Sequence, residues 1–355
     1  MRSIADIAPA VLQRFRTGCV IPAQPLALDE KRRFLPRYQR ALCRYYIDAG
    51  AGGIAVGVHS TQFEIRKPEI GLFEPVLSQT AQFIDRYCAR RGQQILKIAG
   101  ICGRREQALA EARFAVSCGY DAGLLSLAAL RDDNIEALVE HCRAVAEVMP
   151  VIGFYLQPSV GGRVLPYEFW REFCKISNVL GIKIAPFNRY CTFNVVRAVA
   201  ESGRDITLYT GNDDNIVGDL LTVYNIAGKK VRIRGGLLGH WCCWTRRAVE
   251  LLAEIHALLD SNAPIPPELL TRGIQITDCN AAFFDPAHGF AGCIPGMHEV
   301  LRRQGLLKGI WCLNPNETLS PGQADEITRV HDAYPQLHDD AFVAENLQRW
   351  LDEED

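Results

Sequence analysis

Lys183 lies inside the run Val179-Leu180-Gly181-Ile182-Lys183-Ile184-Ala185-Pro186, which is otherwise apolar and strand-like. An ammonium group is strongly hydrated, and burying it unpaired is costly. A lysine in mid-strand therefore either snorkels to water along its own stem or has a chemical task. The usual task is nucleophilic: the neutral amine forms a Schiff base with a carbonyl substrate. Two other groups suit that chemistry. Tyr155 ends the apolar run Val151–Leu156, and a phenol can relay a proton to an imine carbon or a carbinolamine oxygen. Ser60 and Thr61 follow the run 53–58, and hydroxyls with loop N–H groups can hold a carboxylate. Each also has a plainer role, as a core tyrosine with a satisfied hydroxyl or as turn caps. Taken together, a lysine, a phenol and a hydroxyl pair are the minimum set for a class I aldolase working on a 2-oxo acid.

Such residues need strands whose ends converge. Short apolar runs at 19–23, 53–58, 95–99, 123–127, 151–156, 180–185, 206–210 and 236–240 alternate with helical patterns at 30–49, 75–91, 104–118, 132–148, 166–177, 192–203, 213–227 and 243–260. Each strand–helix unit takes roughly 30 residues, the length of a βαβ repeat. The pattern predicts an α/β protein, a (β/α)₈ TIM barrel over 1–260, with an open doubly wound sheet as the alternative. In a barrel the catalytic groups gather at the C-terminal ends of the strands. Asn262-Ala263-Pro264-Ile265-Pro266-Pro267 breaks the rhythm, and 261–355 reads as a C-terminal helical extension. Gly50-x-Gly52-x-x-Ala55 mimics a dinucleotide fingerprint, but it follows a helix and enters a strand. Phosphate binding needs the reverse order, so these glycines are expected to end a helix.

Composition narrows the class. The chain has 355 residues and a formal charge of −2, which leaves no electrostatic footprint for nucleic acid or an anionic membrane. No apolar run approaches the roughly 18 residues that span a bilayer, and the first residues lack an apolar signal core, so a cytoplasmic location is expected. Thirteen scattered cysteines without a Cys-x-x-Cys pair argue against a disulfide framework or a structural zinc site. Asp213 and Asp214 are expected to cap a helix rather than bind metal. Arg163 and Arg189 are candidates for gripping a second carboxylate.

The ordered motifs resemble the dihydrodipicolinate synthase / N-acetylneuraminate lyase superfamily of Schiff-base aldolases. Gly57 with His59-Ser60-Thr61 resembles its Gly-[Ser/Thr]-Thr-Gly-Glu loop, Tyr155-x-x-Pro158 its Tyr-Asn-x-Pro motif, and Gly181-Ile182-Lys183 its Gly-Ile/Leu-Lys motif. Tyr155 precedes Lys183 by 28 positions, the spacing that family uses. Thr210-Gly211-Asn212-Asp213-Asp214 resembles its Ser-Gly-Asp-Asp turn. The resemblance implies that Lys183 forms the imine, that Tyr155 and Thr61 form a proton path, and that Ser60 and Thr61 hold the carboxylate of pyruvate or a related 2-oxo acid. It further implies a pocket lined by Gly57, Gly211 and Leu238, a homodimer or tetramer, and no cofactor or metal; His59, new relative to that family, is a further candidate for the pocket, as a general base or a hydrogen-bonded structural histidine. The departures are also legible. Gln62-Phe63 replaces the Gly-Glu after the threonine, no tyrosine follows the fourth strand, and Val160 stands where the synthase has an arginine. The alternative is a barrel repurposed to bind a small molecule without turnover.

Overall fold

The computed structural model describes residues 1–352. Among these residues nine strands form the sheet: β1 (Val20–Pro22), β2 (Gly53–Val56), β3 (Leu96–Ile101), β4 (Ala122–Leu125), β5 (Val151–Leu156), β6 (Val179–Ala185), β7 (Thr207–Thr210), β8 (Val223–Ile226) and β9 (Lys229–Leu238). Eight of them are parallel neighbours in the order β1-β9-β7-β6-β5-β4-β3-β2. The ring closes between β1 and β2 through a parallel bridge of Ala23 with Ala55, where the Gln24 N–H donates to the Ala55 carbonyl at 2.9 Å. This is the TIM barrel expected from the alternating pattern.

The crossover helices are α2 (Pro36–Ala49), α3 (Phe73–Arg91), α4 (Arg105–Ser117), α5 (Ile135–Ala146), α6 (Tyr167–Phe173), α7 (Arg189–Ser202), α8 (Ile216–Leu221) and α9 (Thr245–Ser261). Gly50 ends α2 at φ +97, as its position after a helix predicts. Two elements depart from the sequence reading. The stretch 213–227, read as one helix, holds only the short α8 and then β8, which pairs antiparallel with the first half of β9. The two-residue turn Ala227-Gly228, at φ +49 and +74, folds this arm back on itself. The N-terminal stretch, which carried no sequence signal, forms α1 (Pro9–Thr17). Its Val11 and Phe15 plug the barrel from the N-terminal side, and Tyr209 stacks on Phe15 at 4.6 Å.

Strand alternation divides the core in two. Ile182 and Ile184 of β6 face the helices, whereas Ile98, Leu124, Ile152, Phe154 and Leu237 fill the barrel. Beyond α9 come α10 (Pro267–Phe284), α11 (Cys293–Arg303), α12 (Gln323–Ala333) and α13 (Asp340–Asp352). Helices α10 and α11 and the segment between them bring Phe284, Phe290, Cys293 and Met297 to the wall of a cavity at the strand ends. Helix α13 packs on α2, where the Trp350 indole donates to Asp48 Oδ2 at 2.8 Å. Among the described residues, no helix is long and apolar enough to cross a membrane.

Candidate active site

Lys183 is 8 % exposed and points into the barrel, toward the end where β5, β6 and β7 finish. The strand dictates that direction: Ile182 and Ile184 take the helix side, so the residue between them must face inward. The lysine lines the cavity beside Phe154, whose ring centre lies 4.6 Å from Nζ. Burial drives its pKa well below that of a solvated lysine, and the nearby Asp213 carboxylate opposes the shift without cancelling it. Gly211 makes room for the side chain, since a Cβ there would sit 2.6 Å from Lys183 Cε.

Asp213 shares this cavity and is 5 % exposed. Its Oδ1 accepts the His240 N–H at 2.9 Å. Burial raises its pKa above the usual carboxylate range, outweighing that hydrogen bond and the attraction of Lys183. A buried network holds the loop that carries it. Asp219 is fully buried, forms an ion pair with Arg189 and accepts from the Thr210 hydroxyl at 2.6 Å and from Asn212 Nδ2 at 2.9 Å. Asn212 Oδ1 in turn accepts the Phe187 N–H at 2.9 Å. Every partner of the Asp219 charge is thereby satisfied, the condition under which a buried carboxylate persists. Arg189 is spent in this network, and Arg163 donates to the Leu130 and Asp133 carbonyls at 2.6 and 2.9 Å.

His59, Ser60 and Gly211 line the same cavity as Lys183. Burial, then the Lys183 charge, lowers the His59 pKa to about 4, so its imidazole is neutral at pH 7. The other expected residues stand elsewhere. Thr61 is fully buried outside the cavity, where its hydroxyl donates to the Gln24 carbonyl at 2.7 Å and accepts the Gly57 N–H at 3.0 Å. Gly57 turns at φ +74 beneath that contact. Leu238 belongs to the helix-side core, and Gly239 is the residue that reaches the cavity.

The largest departure concerns Tyr155. Its phenol faces the helices, packs on Trp170 at 5.5 Å and accepts the Leu165 N–H at 3.1 Å. Burial, then a hydrogen bond with Cys191, pushes its pKa far up. Tyr155 takes that side by plain alternation after Phe154, and a register shift on β6 puts Lys183 on the opposite one. Val151 pairs with Val179, but Ile152 pairs with Gly181, so Leu180 is an extra residue on β6. Every later residue of β6 is displaced by one, and Lys183 therefore pairs with Phe154 while Tyr155 pairs with Ile184. A slip of one residue exchanges the two faces of a strand. Phe154 and Asp213 are thus the site residues that motif spacing did not reveal.

The cavity is small, about 50 Å³, and apart from Gln157 the rest of its wall is largely apolar: Leu156, Val160, Phe187, Phe284, Phe290, Cys293 and Met297 join Phe154. The Phe187 and Phe290 rings meet edge-on at 6.1 Å, and both residues hold positive φ, +52 and +68. The Gln62 side chain ties the loop after β2 to the C-terminal segment by accepting the Leu313 N–H at 2.6 Å.

No family model and no curated protein matches the sequence. Solved structures do match the fold over almost their whole length. A dihydrodipicolinate synthase from Acinetobacter baumannii complexed with pyruvate superimposes with a TM-score of 0.72 and 18% identity, covering 92% of this chain and 99% of that one. The fold is shared with dihydrodipicolinate synthase. An N-acetylneuraminate lyase from Fusobacterium nucleatum gives 0.69 at 14% identity, covering 91% of this chain and 100% of that one. A prophage protein of the dihydrodipicolinic acid synthase family from E. coli K12, in complex with pyruvate, gives 0.69 at 16% identity, covering 90% of this chain and 97% of that one. At such identities the likeness to dihydrodipicolinate synthase is one of fold, and function has to be argued from the site.

Proposed function

We propose that the protein is a diverged Schiff-base lyase of the dihydrodipicolinate synthase / N-acetylneuraminate lyase superfamily, acting on pyruvate or a related 2-oxo acid. One observation carries the reading: a lysine on the inner face of β6, buried in a cavity that makes its neutral form accessible near pH 7. The pyruvate in the A. baumannii and E. coli complexes supports the substrate class.

The neutral Nζ of Lys183 attacks the C2 carbonyl and gives a carbinolamine. Asp213, with its raised pKa, donates a proton to the departing hydroxyl, so water leaves and an iminium forms. The resulting Asp213 carboxylate then removes a proton from C3, giving an enamine ready to make a C–C bond. The same steps in reverse break one. Asp213 thus does the work that a phenol would do if Tyr155 faced the lysine. The Ser60 hydroxyl binds the substrate carboxylate, and the neutral His59 imidazole closes that side of the cavity.

A repurposed barrel that binds without turnover is the second reading, and the phenyl ring of Phe154 beside Lys183 is what favours it. Exchange of the pyruvate methyl hydrogens in D₂O separates the two, because it needs an enamine but no second substrate. The wild-type protein exchanges them, Lys183→Arg does not, and Asp213→Asn exchanges on the order of 10²-fold more slowly. Equal exchange by wild type and Lys183→Arg would favour the binder.

A further inference from the structure

We infer that the carbonyl compound joined to, or released from, the Lys183-bound 2-oxo acid is a short, uncharged, apolar aldehyde. This rests on the imine reading above and adds the identity of the partner. Lys183 is the one lysine or arginine among the residues lining the cavity, and the imine consumes it. The two arginines that follow β5 and β6, the strands facing the lysine, are committed elsewhere, Arg163 to the Leu130 and Asp133 carbonyls and Arg189 to Asp219. A second carboxylate or a phosphate would shed its water against Phe154, Leu156, Val160, Phe187, Phe290 and Met297. An anion buried without a partner is strongly disfavoured.

A polyhydroxylated aldehyde fares no better. Beyond His59, Ser60 and Asp213, the polar side chain left on the wall is Gln157. Hydroxyls without partners in such a site lose their hydrogen bonds to water and regain few. Size limits the partner as well, since the cavity of about 50 Å³ must also take the 2-oxo acid bound to Lys183, which leaves room for a short chain only. A compact aliphatic aldehyde satisfies every one of these constraints.

The bond-making step balances without an added reagent. C3 of the enamine attacks the aldehyde carbon, the aldehyde oxygen takes the proton of the Asp213 carboxyl, and the C=N bond returns as an iminium. Water then adds at C2 and gives up a proton to the Asp213 carboxylate. Lys183 leaves as a free amine, and the product is a 4-hydroxy-2-oxo acid with an apolar tail.

The test supplies the full chain with pyruvate and, in separate reactions, isobutyraldehyde, glyoxylate or glyceraldehyde. Product is followed by NMR against a Lys183→Arg blank, and methyl exchange of pyruvate is recorded in parallel. The expected result is kcat/KM for isobutyraldehyde at least about tenfold above that for either polar aldehyde. Preference for glyoxylate or glyceraldehyde, or no product from isobutyraldehyde, with methyl exchange intact overturns the inference and leaves the imine reading standing. Absence of methyl exchange overturns both.

Discussion

Lys183 and Asp213 are two groups of opposite charge type that burial pushes toward each other in pKa, the lysine down and the carboxyl up. The productive form has a neutral amine and a protonated carboxyl, so the pair must hold a single proton between them. Below the range where the pair loses its first proton the amine stays charged, and imine formation falls with pH. Above the range where it loses the second, no acid remains to expel water, and the rate falls again. Methyl exchange is therefore expected to follow a bell. Its acid limb lies above the ordinary carboxylate range and its alkaline limb below the ordinary lysine value. In Asp213→Asn the alkaline limb disappears, leaving a slower rate that only rises with pH. A wild-type profile that keeps rising to pH 10 would contradict the pairing.

Elements decide which residues reach the lysine. The turn after β2 presents Ser60 to the cavity because Thr61 locks it from behind through the Gln24 carbonyl and the Gly57 N–H. Thr61→Val removes both partners and leaves two buried backbone groups unpaired, at about 1–3 kcal/mol each. Denaturant unfolding is expected to show a loss of at least about 2 kcal/mol, with Thr61→Ser close to wild type. Equal stability of Thr61→Val and wild type would remove the structural role. The same turn illustrates what a sequence discloses. The eight barrel strands were legible because each is a short apolar run between amphipathic helices, and Lys183, Ser60 and His59 were legible as chemical types at strand ends. That Tyr155 and Lys183 face opposite ways was not, because the one extra residue of β6, Leu180, lies between two apolar neighbours and leaves no mark on the hydrophobic pattern. Asp213 was read as a helix cap because its burial depends on residues from α10 and α11, some 70 positions downstream. The β8–β9 arm could have been found, since the Ala227-Gly228 pair separates two β-branched runs.

At the scale of the molecule, helices that follow the barrel complete its cavity, and α13 fastens the end of that segment to α2. Trp350 is fully buried there, with its ring 5.5 Å from Tyr45 and its indole on Asp48. Arg349 bonds the same Asp48 oxygen at 2.7 Å. Trp350→Ala is expected to cost about 3–5 kcal/mol, read as a lowered thermal midpoint. An unchanged midpoint would mean that α13 is dispensable. All of this architecture serves one claim, that a buried, uncharged Lys183 forms an imine with a 2-oxo acid. The most direct test is borohydride reduction in the presence of pyruvate, followed by intact mass and peptide mapping. The account predicts a single adduct of the mass of a reduced pyruvate imine on the peptide containing Lys183. Folded protein that gives no adduct with pyruvate or longer 2-oxo acids, or an adduct on another lysine, would contradict it.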